Sequence, residues 1–292
     1  MYTVSHNVSN EPALGEFVTL GDEEVGSKVV VMPRRGALVT SFRVGPRELL
    51  YLEEATLRDE TQNVRGGIPV LFPTPGKLEG DRWHRAGLSG QLKQHGFARN
   101  LPWTVAREST VDGAAVTLAL DSSPATLAAY PWEFRVELTF TLRGANLRLS
   151  SQVQNRATSP LPFALGYHPY FAAGDKRRLS IDTRATRAFD NVTKREVAFT
   201  RFDLTATEVD LHLLDHGSSE SALHLDDGSR VRVVGSPDFV RWVVWTKAGK
   251  DFVCLEPWTA PGNALNTGEG LFALPPGANH ESSVDISWIP AP

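Results

Sequence analysis

Four stretches of this chain set titratable or hydrogen-bonding side chains among glycine, proline and aromatic residues instead of on an alternating strand face. In GYHPYF (166–171), His168 sits between aromatic residues and follows the apolar run Leu161-Pro162-Phe163-Ala164-Leu165. An imidazole in such surroundings is either a core histidine with one hydrogen bond or a proton donor at the floor of a site for a flat, hydroxylated ligand. In DFVCLEPWTAPGNALNTGEG (251–270), period two puts Phe252, Cys254 and Glu256 on one strand face, with Glu256 at the strand end, fixed by Pro257 and beside Trp258. A carboxylate against an aromatic ring has a raised pKa or forms part of a sugar-binding floor; the alternative is a strand-end glutamate facing water. Cys254 reads as a buried thiol, with no histidine near it in sequence to activate it.

The other two stretches supply donors. RGGIPVLFPTPG (65–76) pairs Arg65 with Gly66-Gly67, which allow close backbone approach, and with three prolines that hold an extended path. Arg65 suits hydroxyl or phosphate oxygens. QHGFARNLPW (94–103) carries His95 before Gly96, then Arg99 and Trp103: a donor to a ligand hydroxyl, a partner for a carboxylate or phosphate, and a stacking surface. For both stretches the plain alternative is a rigid loop with solvated side chains. His212 and His216 have i,i+4 spacing with Asp210 and Asp215 nearby, which would suit a metal on a helix. The segment is short and reads as a loop beyond a strand, so no metal is expected. GNALNTGEG lacks the lysine of a phosphate loop, and no G-x-S-x-G elbow is present.

The elements that must position these groups are strands. FRVELTFTL from Phe134 alternates strictly, Gly144-Ala145-Asn146 turns the chain, and Leu147, Leu149, Ser151 and Val153 continue the pattern. Residues 222–235 repeat the design around Asp227-Gly228. SKVVVM (27–32), AVTLAL (115–120) and FVRWVVW (239–245) add strands. PATLAAY (124–130) predicts a helical turn or two with Pro124 at its first position. The chain has 292 residues, 41% hydrophobic and 22% charged, with a net charge of −4 and no basic stripe, which points away from nucleic acid. One cysteine excludes an intrachain disulfide, and no run approaches a membrane span. The expectation is a single β-sandwich domain over 1–292, with its core at about 15–288, in the cytoplasm.

With these stretches in hand, the sequence resembles the aldose 1-epimerase (galactose mutarotase-like) superfamily, and is similar in particular to the branch containing hexose-6-phosphate mutarotases. Arg65 in RGGIP, His95 in QHGFAR, His168 in GYHPYF and Glu256 in LEPW occur in the family's order and at roughly its separations, and Asp210 in TEVDL falls where the family carries an aspartate. The resemblance implies an all-β fold, a large antiparallel β-supersandwich with an open cleft, and no metal or organic cofactor. It implies that Glu256 takes the C1 hydroxyl proton while His168 protonates the ring oxygen, so that the hexose ring opens, rotates about C1–C2 and recloses as the other anomer. The two side chains would flank the ring on opposite sides of its hemiacetal carbon. Asp210 would keep His168 protonated, His95 and Arg65 would hold hydroxyls, and Trp103, Trp258 and the tyrosines would stack on the sugar.

Phosphosugar members place arginines around a 6-phosphate, and Arg65 with Arg99 would serve there. The segment 77–93, rich in lysine, arginine and histidine, departs from the family pattern and would either complete a phosphate pocket or form a solvated loop. The partner is a small sugar or sugar phosphate, with the protein a monomer or homodimer. Two other classes compete: a carbohydrate-binding β-sandwich without turnover, and a glycosidase. A glycosidase uses two carboxylates, whereas the prominent pair here is histidine with glutamate.

Overall fold

The computed structural model describes residues 1–11 and 14–292. The alternation read from Phe134 is realised in the hairpin Phe134–Arg143 and Asn146–Asn155. Phe134, Val136, Leu138, Phe140 and Leu142 are all buried, and the residues between them are half-buried or exposed. This hairpin lies in the middle of an eight-stranded sheet. Its order is Ser180–Ile181, Glu220–His224, Arg230–Gly235, Asn279–Ile289, Asn146–Asn155, Phe134–Arg143, Ala114–Asp121 and Thr104–Ser109. An N-terminal five-stranded meander, from Tyr2–Val8 to Arg47–Glu48, packs beside it.

The second large sheet carries the chemistry. Its order is Arg195–Ala198, Arg187–Asp190, Glu208–Leu213, Arg241–Lys247, Phe252–Trp258, Gly166–Tyr167 and Val70–Leu71, with Tyr170–Ala172 also paired to Phe252–Trp258. The ladders of both sheets are antiparallel. One continuous apolar cluster, from Val18 to Ile286, joins all three layers. The fold is the antiparallel β-supersandwich expected from the sequence. The short helix at Pro124–Ala129 forms as its Ser-Pro start predicts, with Ser123 and Thr126 making a reciprocal capping box. Among the described residues no helix is long and apolar enough to cross a membrane.

Three expectations change. The segment 211–216 is divided: Leu211, His212 and Leu213 end the strand Glu208–Leu213 and only 214–216 lie beyond it, so His212 and His216 do not share a helical face. His216 is held elsewhere, between the Thr183 hydroxyl and the Glu220 carbonyl, each at 2.8 Å. Segment 77–93 is not a loose loop but contains the hairpin Arg82–Arg85 and Leu88–Gln91. Its anchor is Trp83, fully buried, with Nε1–H donated to the Ala129 carbonyl at 3.0 Å and its ring 5.2 Å from that of Trp132. Trp103 is likewise a core residue, donating Nε1–H to the Ala98 carbonyl at 3.0 Å, and is not free to stack on a ligand.

Candidate active site

The sheet register explains why residues distant in sequence meet. Gly166 pairs with Trp258, and Tyr170 pairs with Cys254. The same antiparallel register sets His168 opposite Glu256. The ladder is interrupted between these pairs, where Pro169 has no N–H to give. On the other side of the glutamate strand, Glu256 faces Val243 and Cys254 faces Trp245. One strand further, Val243 faces His212 and Trp245 faces Asp210. Residues opposite one another in an antiparallel ladder project to the same side. His168, Glu256, Val243 and His212 therefore form one row, and Tyr170, Cys254, Trp245 and Asp210 form the next. The alternate residues, among them Tyr167, Phe171, Val253, Leu255, Trp242, Val244, Val209 and Leu213, enter the main core. The site is thus on the face of this sheet opposite the main core, where His168 and Glu256 are themselves buried.

Glu256 is not at a strand end facing water. It lies within Phe252–Trp258 and is 1% exposed, while His168 is 7% exposed. The two touch: His168 Nε2 is 3.4 Å from Glu256 Oε1. They stand side by side, not on opposite sides of a ligand-sized gap. The other carboxyl oxygen, Oε2, accepts Trp258 Nε1–H at 3.1 Å. Trp258 can lie against the neighbouring strand because position 166 is glycine; a Cβ there would come within 2.8 Å of its ring. The His168 ring stacks on Tyr170 at 4.6 Å between centroids and 8° between planes, and Trp245 meets it edge-on at 5.7 Å.

His95 closes the recess from the glycine-rich side. Its ring is 5.6 Å from His168 and 5.8 Å from Trp258, edge-on to both. Its backbone and that of Gly96 are left-handed, and a Cβ at 96 would sit 2.2 Å from the Phe72 carbonyl oxygen. Only glycine there lets the loop press against Phe72. The Gly76 N–H donates to His95 Nδ1 at 3.0 Å, which puts the ring proton of the neutral form on Nε2 and requires the Gln94 side-chain amide, 3.1 Å away, to turn its oxygen toward it. Arg99 donates from Nη2 to the Gln94 carbonyl at 3.0 Å, while its Nε is buried with no partner among the described residues. Arg65 is exposed, its guanidinium 5.7 Å from the Trp245 ring centre. Asp210 accepts Asn191 Nδ2–H at 2.7 Å and lies 3.3 Å from His212 Nε2.

The electrostatics follow from this burial. Dehydration, and next the negative charge of Asp210, push the Glu256 carboxyl well above the usual carboxylate range, against the Trp258 hydrogen bond and the Arg99 charge. Dehydration and then Arg99 push His168 down to about 3. His95 is also lowered well below the ordinary histidine value, by burial first and Arg99 second. Burial acts to raise the Asp210 pKa, but hydrogen bonds from His212 and Asn191 hold it below the usual value. Cys254 is raised well above a normal thiol by burial and the Glu256 carboxyl; it is a neutral, unreactive thiol as read from sequence.

Arg65, His95, Arg99, His168, Asp210, Glu256 and Trp258 lie around this one part of the sheet, whereas Trp103, also read from the sequence as a stacking surface, lies in the core. Two residues were missed, His212 as a neighbour of Asp210 and Trp245, while Cys254 lies on the face of Glu256 as its period-two spacing indicates. The signal for His212 was present, since it is two positions from Asp210, but only strand pairing shows which face is the site. Two concavities of about 340 and 380 Å³ lie elsewhere, one lined by Arg107, Ser150 and Ser283 and one by Lys176 and Phe202. Neither contains His95, His168 or Glu256, so chemistry rather than volume locates the site.

Comparison with known proteins agrees. The family model for aldose 1-epimerase matches residues 17–287. A Cenchrus ciliaris protein named "Putative glucose-6-phosphate 1-epimerase" is 26% identical over 282 residues, spanning 88% of this chain and 80% of that protein. The crystal structure of the Slr1438 protein from Synechocystis sp. PCC 6803 is 35% identical, covers 97% of this chain and 99% of that one, and superposes with a TM-score of 0.93. Galactose 1-epimerase from Lactobacillus acidophilus NCFM shares the fold, with a TM-score of 0.78 at 14% identity over the full length of both chains. With a histidine and a carboxyl group in contact on the open face of such a sheet, and a family match over nearly all of its length, this chain belongs to the aldose 1-epimerase family, isomerases that interconvert the α and β anomers of a sugar.

Proposed function

We propose that His168 and Glu256 are the proton-transfer pair that opens and closes the ring of a hexopyranose. Opening breaks C1–O5 while one group takes the O1 proton and the other protonates O5. O1 and O5 hang on the same carbon, so two groups in contact with each other are able to serve both. The 3.4 Å contact between His168 Nε2 and Glu256 Oε1 is the observation that carries this reading. Reclosing on the other face of the aldehyde returns both protons, and the pair ends as it began.

The pair needs one proton between its members. Glu256 as base and His168 as acid is one arrangement; protonated Glu256 with neutral His168 is the other, with the same proton count and exchanged roles. The raised carboxyl and lowered imidazole favour the second arrangement in the empty recess. His95, neutral with its proton on Nε2, would donate to a sugar hydroxyl. Trp258 and Trp245 would cover the apolar sugar face. Asp210 acts through its charge on Glu256 and through its contact with His212.

A specific observation also favours a 6-phosphate on the sugar. Arg65 and Arg99 make no ion pair with a carboxylate among the described residues, and the buried Nε of Arg99 has no acceptor there. The name of the Cenchrus ciliaris relative points the same way. The test follows anomer exchange by NMR with freshly dissolved α-glucose, α-galactose and glucose 6-phosphate. Exchange above the buffer rate supports the reading. Binding without exchange would leave a carbohydrate-binding module, and release of monosaccharide from an oligomer would make it a glycosidase.

A further inference from the structure

We propose that the floor of this recess also binds a soft divalent cation of the zinc type, held by His168, Cys254 and Glu256, and that an ion bound there stops anomer exchange. One donor atom from each of the three side chains lies within 4.8 Å of the other two, and all three residues are buried. The sheet explains the cluster. Cys254 and Glu256 are two apart on the same face of Phe252–Trp258, and the register places His168 opposite Glu256. In a tetrahedral zinc site with bonds of about 2.0–2.3 Å, donor atoms stand about 3.3–3.6 Å apart. The His168–Glu256 separation of 3.4 Å already meets that spacing. The thiol must close by up to about 1.5 Å, within the reach of a side-chain rotation.

Charge and donor type select the ion. A thiolate, a carboxylate and a neutral imidazole carry two negative charges, so a divalent ion makes the buried assembly neutral, the condition under which charges survive away from water. Thiolate and imidazole favour zinc-like ions over magnesium or calcium, which take mostly oxygen donors. Three protein ligands leave a fourth position toward the open side, where the sugar would enter. Neither proton transfer proposed above uses Cys254, yet it faces the site and is fully buried. The ion site rests on the donor geometry alone. Its inhibitory effect rests on the acid–base reading of the pair, because both proton carriers become ligands.

The chain has a single cysteine, so a thiolate-to-cobalt absorption band can come only from Cys254. Metal-free protein is titrated with Co²⁺, then with Zn²⁺ to displace it, while α-glucose exchange is followed with Zn²⁺ or Mg²⁺. The expected result is a near-ultraviolet thiolate band that zinc removes, with exchange lost in zinc and unchanged in magnesium. Measured against its own metal-free exchange rate, Cys254→Ser should raise the half-inhibiting zinc concentration at least ~100-fold, beyond the 10–100-fold typical of an outer-shell partner. Absence of the band in the native protein overturns the site, whether or not the variant folds. Zinc inhibition without the band, equal in Cys254→Ser, places the ion elsewhere and also overturns it. The band with undiminished exchange supports the ion site and instead defeats the acid–base reading.

Discussion

Glu256→Gln separates catalysis from stability with one isosteric change. The amide keeps an oxygen to accept Trp258 Nε1–H, now 3.1 Å from Oε2, and keeps the volume of a side chain that is 1% exposed. It removes a group that can carry a proton. Loss of a positioned acid or base costs about 10²–10⁴ in rate. Exchange should therefore fall at least ~100-fold, which is about 2.7 kcal/mol on the barrier. Stability should move the other way. Burial and Asp210 raise the Glu256 pKa in the folded protein above the unfolded value of 4.5. A carboxyl that holds its proton more tightly when folded gives its full stabilisation below pH 4.5 and loses it as pH rises toward the folded pKa. Glutamine has no such loss. The melting temperature of Glu256→Gln should thus match that of the native protein in acid and exceed it by a margin that widens from pH 4.5 upward. NMR anomer exchange and thermal melts across pH read both. A folded variant with native exchange refutes the proton pair; a margin that does not widen with pH refutes the dehydration argument for Glu256.

The same burial predicts that His168 itself does not titrate near pH 6.5, because it has been pushed from that value to about 3; NMR of its ring protons across pH 5–8 tests this, and a titration centred on 6.5 would mean a hydrated imidazole. Replacing Arg65 and Arg99 together by glutamine should raise KM for glucose 6-phosphate about 10–100-fold relative to glucose, the size of one or two lost charge-assisted hydrogen bonds. Equal changes for both sugars would remove the phosphate contact from the reading. Gly96→Ala should destabilise the fold by at least about 2 kcal/mol, through a left-handed backbone strained for alanine and a clash with the Phe72 carbonyl. An unchanged denaturation midpoint would show that the His95 loop is not locked against Phe72.

Much of this was legible in the sequence because strands advertise themselves by alternation. The Phe134–Arg143 and Asn146–Asn155 hairpin, the turn at Asp227-Gly228 and the helix at Pro124 follow from local pattern and turn chemistry alone. The errors share a cause. Trp103 sits in a loop-like stretch, and nothing local tells a core anchor from a ligand platform; the indole N–H bond to the Ala98 carbonyl decides it. Glu256 looked like a strand end because proline follows it, yet Phe252–Trp258 continues through Pro257. His212 was weighed for a metal on a helix and then set aside, since its value lies in a pairing two strands away from Glu256 that no linear spacing reports.

The charges around the pair clarify why burial has the last word there. Arg99 lowers the pKa of both His168 and Glu256, and Asp210 raises both. Two flanking charges of opposite sign therefore act against each other at each member, and dehydration, the largest influence on each, tips the balance toward the uncharged forms. A neutral imidazole beside a protonated carboxyl still holds the single proton that ring opening and closing require. It also avoids the energetic cost of two bare charges in a recess where His168 and Glu256 are nine-tenths or more buried. A sugar that brings its own hydroxyls to both groups supplies hydrogen bonds at the moment charge begins to separate, so the pair need not ionise before the substrate arrives. Under the proposed mechanism that condition ties the apolar setting of GYHPYF to its chemistry: Tyr170 and Trp245 pack against the His168 ring, and the carboxyl facing His168 across the strand pairing would supply the proton that the dehydrated ring does not hold by itself.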